Sequence, residues 1–225
     1  WDVVVFKYPI ESETNYIKRC VGLPNETLRI WHGDVYVKQP GEDRYTITRR
    51  DPTELRAMAQ IVYDNDYVVD EMTEAGWPLR WQDRGNGDDD EHWRSDDGGV
   101  SFSVPGTASE TRWLRYRHFA PSLEDWRDLE RGRLPNETPR PLLITDFYAY
   151  DTSIDRRQPR EQAHTLGLHW VGDLLVECEL NSTVGKGTAL PDLVKGGRHF
   201  RCELDCESGE ARLSIDRLED FAPKA

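Results

Sequence analysis

Short apolar runs cut by Gly, Pro, Asn and Asp recur along this chain, and their spacing constrains its fold more than any other feature. Residues 174–180 place Leu174, Val176, Cys178 and Leu180 on one face, with Glu177 and Glu179 opposite. Residues 200–205 repeat the pattern, Phe200, Cys202 and Leu204 against Arg201, Glu203 and Asp205. A period of two is the signature of a strand with one face turned to a core. Similar runs occupy 100–104, 113–118, 142–150, 168–171, 198–204 and 211–215, and Ser208-Gly209-Glu210 supplies a turn before the last. Many short strands with frequent turns predict a mainly β fold, a sandwich or a barrel.

The first part of the chain is β-prone in a different way. Asp2-Val3-Val4-Val5-Phe6-Lys7-Tyr8-Pro9 precedes Asn15-Tyr16-Ile17-Lys18-Arg19-Cys20-Val21-Gly22-Leu23-Pro24, and Leu28-Arg29-Ile30-Trp31-His32-Gly33-Asp34-Val35-Tyr36-Val37 follows, with Gly33-Asp34 as a hairpin signal. Lys18 stands inside an apolar strand. Such a lysine is either a solvent-facing strand residue, like Lys7 or Lys38, or a base kept neutral by burial. Full burial pulls a lysine pKa down by roughly 3–5 units, enough to make it a proton acceptor near neutrality.

Taken together, residues 2–37 resemble the type I signal peptidases, serine proteases with a Ser/Lys dyad. N-Y-I-K-R-C-V-G-L-P-N-E-T is similar to that family's lysine box, usually written Y-I-K-R-x-V-G-L-P-G-D. The valine-rich run resembles the strand before the box, and I-W-H-G-D-V-Y-V the hairpin after it. The resemblance implies that Lys18 is the general base, and that Val5, Tyr16 and Ile17 wall shallow pockets for small substrate side chains. It implies exported preproteins as substrates, and anchorage in the cell membrane through segments outside this chain, with this region on the extracytoplasmic side. No cofactor is implied.

The chain departs from the family at two places. The nucleophile of the family lies in an S-M-x-P-T-like segment before the valine-rich strand, and nothing here matches it; Ser12 sits in a polar E-S-E-T-N turn. The later G-D-N-R-D-N-S-x-D-S-R box shares only two letters with Gly172-Asp173. The expectation is therefore an internal piece of a longer peptidase, inactive alone.

Composition narrows the partners. The 225 residues carry 29 Lys and Arg against 42 Asp and Glu, a net charge of −13, which speaks against a nucleic-acid partner because phosphate contacts need a basic face. It also counts against the other user of this dyad, a self-cleaving repressor. No window is apolar for long enough to span a bilayer. Cys20, Cys178, Cys202 and Cys206 form neither a C-x-x-C pair nor a zinc-like cluster with histidine, so no metal is expected. A Cys178 bond to Cys202 or Cys206 would suit an exported domain; small buried hydrophobes are the commoner use of such residues.

The text changes character near residue 45, predicting a signal-peptidase-like piece at 1–45 and an inserted domain at 46–225. The insert begins with a helix near 53–63 that Thr53 can cap, Leu55, Met58, Ala59 and Val62 sharing a face. Its β runs are loosely similar to a concanavalin-type jelly-roll sandwich. The acidic stretch 83–91 reads as a solvated loop, or as a calcium loop lacking the EF-hand spacing. Eight tryptophans suit core packing or a glycan-binding face, and the alternative function is a non-catalytic sandwich module that binds glycan or a partner protein. The six histidines are scattered with no acid at catalytic spacing, and the three Asn-x-Thr/Ser sequons, at Asn25, Asn136 and Asn181, carry little weight in the bacterial protein that the resemblance implies.

Overall fold

A computed structural model describes residues 1–31, 34–85, 92–105, 110–133, 139–145, 170–183 and 185–218. The fold is mainly β, with eleven short strands and three short helices among the described residues. The chain divides into two compact units, Trp1–Ile61 and Val62–Ala225.

The first unit holds two antiparallel sheets. Strand β1 (Val3–Lys7) pairs with β2 (Asn15–Arg19), in register from Val3 opposite Arg19 to Lys7 opposite Asn15. Strand β3 (Thr27–Trp31) pairs with β4 (Asp34–Lys38), which pairs in turn with β5 (Thr46–Ile47). Alternation sets Leu28, Ile30, Val35 and Val37 on one side of that sheet, and Val37 is buried, alone among the described residues of the unit. Gly22 closes the link between the two sheets: a Cβ there would stand 2.6 Å from Leu28 Cδ1.

Asn25 carries the turn between β2 and β3 at φ 68°. Next to it, Glu26 accepts a hydrogen bond from Leu23 N at 2.7 Å and another from Gln39 Nε2 at 2.6 Å, tying this turn to the end of β4. Left-handed backbone suits Gly and Asn and penalises branched side chains by about 1–2 kcal/mol. Asn25→Gly should therefore leave the urea midpoint nearly unchanged, whereas Asn25→Val should lower stability by about that amount. Equal midpoints for the two variants would contradict this account.

Helix α1 (Pro52–Met58) is shorter than the expected 53–63, and its cap is not Thr53. Pro52 occupies the first turn, so Asp51 is extended before it, and its carboxylate accepts from Thr53 N and Glu54 N at 2.8 and 3.0 Å. Ala59 leaves the helix at ψ 140°. Leu55 and Val62 stay exposed, so no apolar face holds a longer helix in place.

In the second unit a single 3-10 turn (Asn65–Tyr67) and α2 (Asp70–Glu74) precede β6 (Trp81–Asp83), which pairs with β7 (Leu114–Tyr116). Helix α3 (Leu123–Glu130) starts with a capping box in which Ser122 and Asp125 exchange hydrogen bonds. The largest sheet follows. Strand β10 (Arg198–Asp205) is flanked by β11 (Ala211–Ile215) on one edge, and by β8 (Thr188–Ala189) and β9 (Asp192–Lys195) on the other. Gly209, at φ 74°, makes the β10–β11 turn.

Several expected strands are absent or reduced. Residues 174–180 form no ladder, and Leu174, Leu175, Val176 and Leu180 are exposed. Alternation alone does not hold a strand; it needs a neighbour with which to pair. Residues 100–104 contribute one bridge, Ser103 to Arg94, and the 142–150 and 168–171 runs meet in one bridge, Thr145 to Trp170, with residues 146–150 and 168–169 lying outside the described residues. Among the described residues the strands form four separate small sheets, and buried apolar side chains are confined to Val37 and Phe119.

Loop 95–101 is organised by one carboxylate. Asp97 accepts hydrogen bonds from the Ser101 and Ser95 hydroxyls and from Val100 N and Ser101 N. Those from Ser101 foremost, then Ser95 and Val100, hold it well below the usual carboxylate range. Such a group stabilises the fold above its unfolded pKa, near 3.8, and the contribution fades as pH falls below that point. Asp97→Asn should therefore lower the melting temperature at pH 7, with the gap to wild type closing on acidification below about pH 4. A gap independent of pH would show that the carboxylate charge is not what organises this loop.

Candidate functional site

Lys18 is the fourth residue of β2, directly across from Val4 on β1. Residues that face each other across an antiparallel pair share a side of the sheet. Lys18 therefore lies on the side of Val4, Phe6 and Tyr16. Tyr16 is the best-packed residue of that side, its ring 4.9 Å from Tyr8 and 6.2 Å from Phe6 between centroids. Val5 and Ile17 oppose each other on the reverse side, along with Val3 and Arg19. The strand pair thus brings Tyr16 to the lysine's side, joins Val5 to Ile17, and puts those two groups on opposite sides.

Lys18 is exposed, and the apolar side chains around it are uncovered as well: Val4 is 38% and Phe6 42% exposed. The outer edge of β2 has no partner strand among the described residues. Beyond β2, Cys20 donates its thiol to Gly22 O at 3.2 Å, which, with the Gly22 contact to Leu28, fixes how the strand leaves the sheet. Gly33 of the hairpin signal lies outside the described residues.

The histidines correct the sequence reading, because two of them do pair with acids. His92 Nδ1 lies 3.0 Å from Asp83 Oδ2, and His199 Nδ1 lies 2.7 Å from Asp192 Oδ2. The antiparallel β9–β10 register creates the second pair, and Arg201, directly opposite Asp192, reaches both Asp192 at 3.3 Å and Asp216 at 3.4 Å. For Asp83 burial opposes ionisation, but hydrogen bonds from Trp93 N, Gly85 N and His92 outweigh it and pull the carboxyl below its ordinary value. Asp83 borders a shallow recess lined by Arg84, Gly85, Thr111, Arg112 and Trp113.

His118 is half-buried beside the Tyr116 hydroxyl at 3.1 Å and the Arg80 guanidinium at 3.5 Å; burial first, then Arg80, lowers its pKa. Its neighbours form a packed aromatic group, with Arg80 over Tyr63 and Trp81 edge-on to Tyr116. Trp93 donates its indole N–H to Arg112 O at 3.1 Å. Trp81 and Trp93 thus serve internal packing in this unit. Residues 86–91 of the acidic run lie outside the described residues. All four cysteines are free thiols. Among the described residues, no helix is long and apolar enough to cross a membrane.

Comparison with known proteins adds a family to this geometry. Residues 1–75 match the family described as signal peptidase, peptidase S26. A signal peptidase I of Pseudomonas aeruginosa is 64% identical over 28 residues, a stretch covering 12% of this chain and 10% of that protein. No solved structure matches the chain. The part of the chain that carries β1 to α1 is thus a signal-peptidase-like segment.

Proposed function

We propose that this chain contributes the general-base strand of a bacterial type I signal peptidase, with Lys18 as the base of a Ser/Lys dyad acting on exported preproteins. The family match over residues 1–75 carries this reading, since it spans both strands of the β1–β2 pair on which Lys18 stands. The serine comes from a segment outside the sequence given. Its hydroxyl proton passes to the neutral Lys18 amine as the oxygen attacks the substrate carbonyl. The ammonium hands that proton to the nitrogen of the leaving peptide as the scissile C–N bond breaks, and the amine, neutral again, takes a proton from the water that hydrolyses the acyl-serine ester.

The free edge of β2 supports the substrate assignment. An extended peptide added along it would send alternate side chains to the two sides of the sheet. Tyr16 on one side, and Ile17 with Val5 on the other, would then flank successive substrate residues. The same docking, together with the serine segment, would cover Val4, Phe6 and Lys18, giving the lysine the dry surroundings that a neutral amine needs.

The test is cleavage of an Ala-x-Ala reporter peptide in detergent, by the full-length protein and by residues 1–225 alone. Cleavage after the alanine by the former, and none by the latter, is the expected result. Turnover by residues 1–225 that disappears in Ser12→Ala would overturn the assignment of the nucleophile. The membrane location and the role of residues 46–225 as an inserted domain belong to the same proposal.

A further inference from the structure

Three histidines lie among the described residues, and the charged groups they face differ in sign. His92 and His199 each face a carboxylate, Asp83 at 3.0 Å and Asp192 at 2.7 Å. His118 faces a guanidinium, its Nδ1 3.5 Å from Arg80 Nη1 and 3.1 Å from the Tyr116 hydroxyl. A proton taken up by either of the first two completes an ion pair. One taken up by His118 sets cation against cation.

Guanidinium N–H groups only donate, so Nδ1 is the accepting nitrogen of a neutral imidazole. Neither partner retreats freely. The Arg80 guanidinium lies over the Tyr63 ring at 4.7 Å, and Arg80 O accepts from Arg117 N at 2.6 Å. His118 O accepts from Leu142 N at 2.8 Å, and the next residue, Phe119, is buried. Among the described residues no carboxylate reaches either group as an ion pair. Asp64, beside Tyr63, accepts from Asp66 N. On the β6–β7 pair Asp83 shares the side of Tyr116 but is held by His92, and alternation turns Arg115 to the reverse. The 139–145 segment adds one charged residue, the exposed Arg140. In α3, Asp125 is taken by Ser122 and Asp128 by Arg131 and Arg133, while Glu124 and Glu130 are exposed. Burial first, then Arg80, holds the imidazole pKa below its ordinary 6.5. The unfolded chain therefore takes up the proton first, so the stability given by the neutral ring is whole above pH 6.5 and declines as pH falls below it.

We propose that His118 and Arg80 form an acid-sensitive latch in the second unit, which opens in weak acid when the protonated ring is driven from the guanidinium and the chain from Arg117 to Phe119 comes free. The latch is separate from the lysine strand and does not rest on the peptidase reading. Hydrogen exchange read by mass spectrometry on the purified chain at pH 7 and pH 5, with labelling times scaled to the intrinsic rate, tests it. Peptides covering 114–119 and 140–145 should lose protection at pH 5, while those of β10 and β11 keep theirs. His118→Asn retains an accepting oxygen and does not titrate in this range, so its protection should be the same at both pH values. Arg80→Met keeps an apolar stem on Tyr63 and removes the charge, so the loss at pH 5 should shrink. Equal protection at the two pH values in the wild type, a loss that persists in His118→Asn, or one unchanged in Arg80→Met would each overturn the proposal. A loss spread over β10 and β11 as well would mean global acid unfolding, and would overturn it too.

Discussion

Lys18→Ala in the full-length protein is expected to abolish cleavage of exported precursors, while Lys7→Ala leaves it nearly unchanged. A positioned general base contributes about 10²–10⁴-fold to rate, and a base shared by acylation and deacylation puts the loss at the upper end. Lys7 lies at the end of β1, opposite Asn15, on the side of the sheet away from Lys18. Lys18→Arg separates chemistry from structure. It keeps a long cationic side chain on the same side of β2, yet a guanidinium does not give up its proton in a protein. Arg should therefore be as inactive as Ala. If Lys18→Arg retained near-normal processing, a structural cation would explain the position and the general-base reading would be lost.

The second large effect is on stability. Phe119 is 3% exposed, the most deeply buried of the described hydrophobic residues. It sits between two anchored points: the His118 carbonyl accepts a hydrogen bond from Leu142 N at 2.8 Å, and Ser122 caps α3 three residues later. The backbone at 119 therefore cannot move in to close the cavity left by the ring without dragging both. Phe119→Ala should cost about 3–5 kcal/mol, the transfer term plus the cavity left behind. A domain of ordinary stability has only about 5–15 kcal/mol in all. Urea unfolding followed by tryptophan fluorescence reads this directly, and Phe119→Leu should cost far less. A midpoint for Phe119→Ala within error of wild type would mean that no packed core surrounds this ring.

The strands of the first unit were legible because their information is local. Each of β1 to β4 carries its own alternation or β-branched run, and the hairpin partners are close in sequence, so register follows from turn and pattern. The start of α1 was legible too, but from a different residue. Pro52 in the first turn points to Asp51 as the cap, and the β-branched Ile61 and Val62 give no reason to extend the helix. Residues 174–180 have the same alternation as β10 and yet form no ladder, because alternation fixes which side chains share a face and says nothing of whether another strand arrives.

The same division holds for the candidate site. The resemblance of residues 2–37 to the signal-peptidase lysine box is what singles out Lys18 with Val5, Tyr16 and Ile17. That Tyr16 stands on the lysine's side of the sheet while Val5 and Ile17 stand on the other required the β1–β2 register. The pairing of His199 with Asp192, and of His118 with Arg80, was invisible in the sequence for a related reason. Covalent order sets the nature of each strand face. Which two faces or side chains meet depends on backbone hydrogen bonds between strands, and every residue's N–H and C=O can make those equally well.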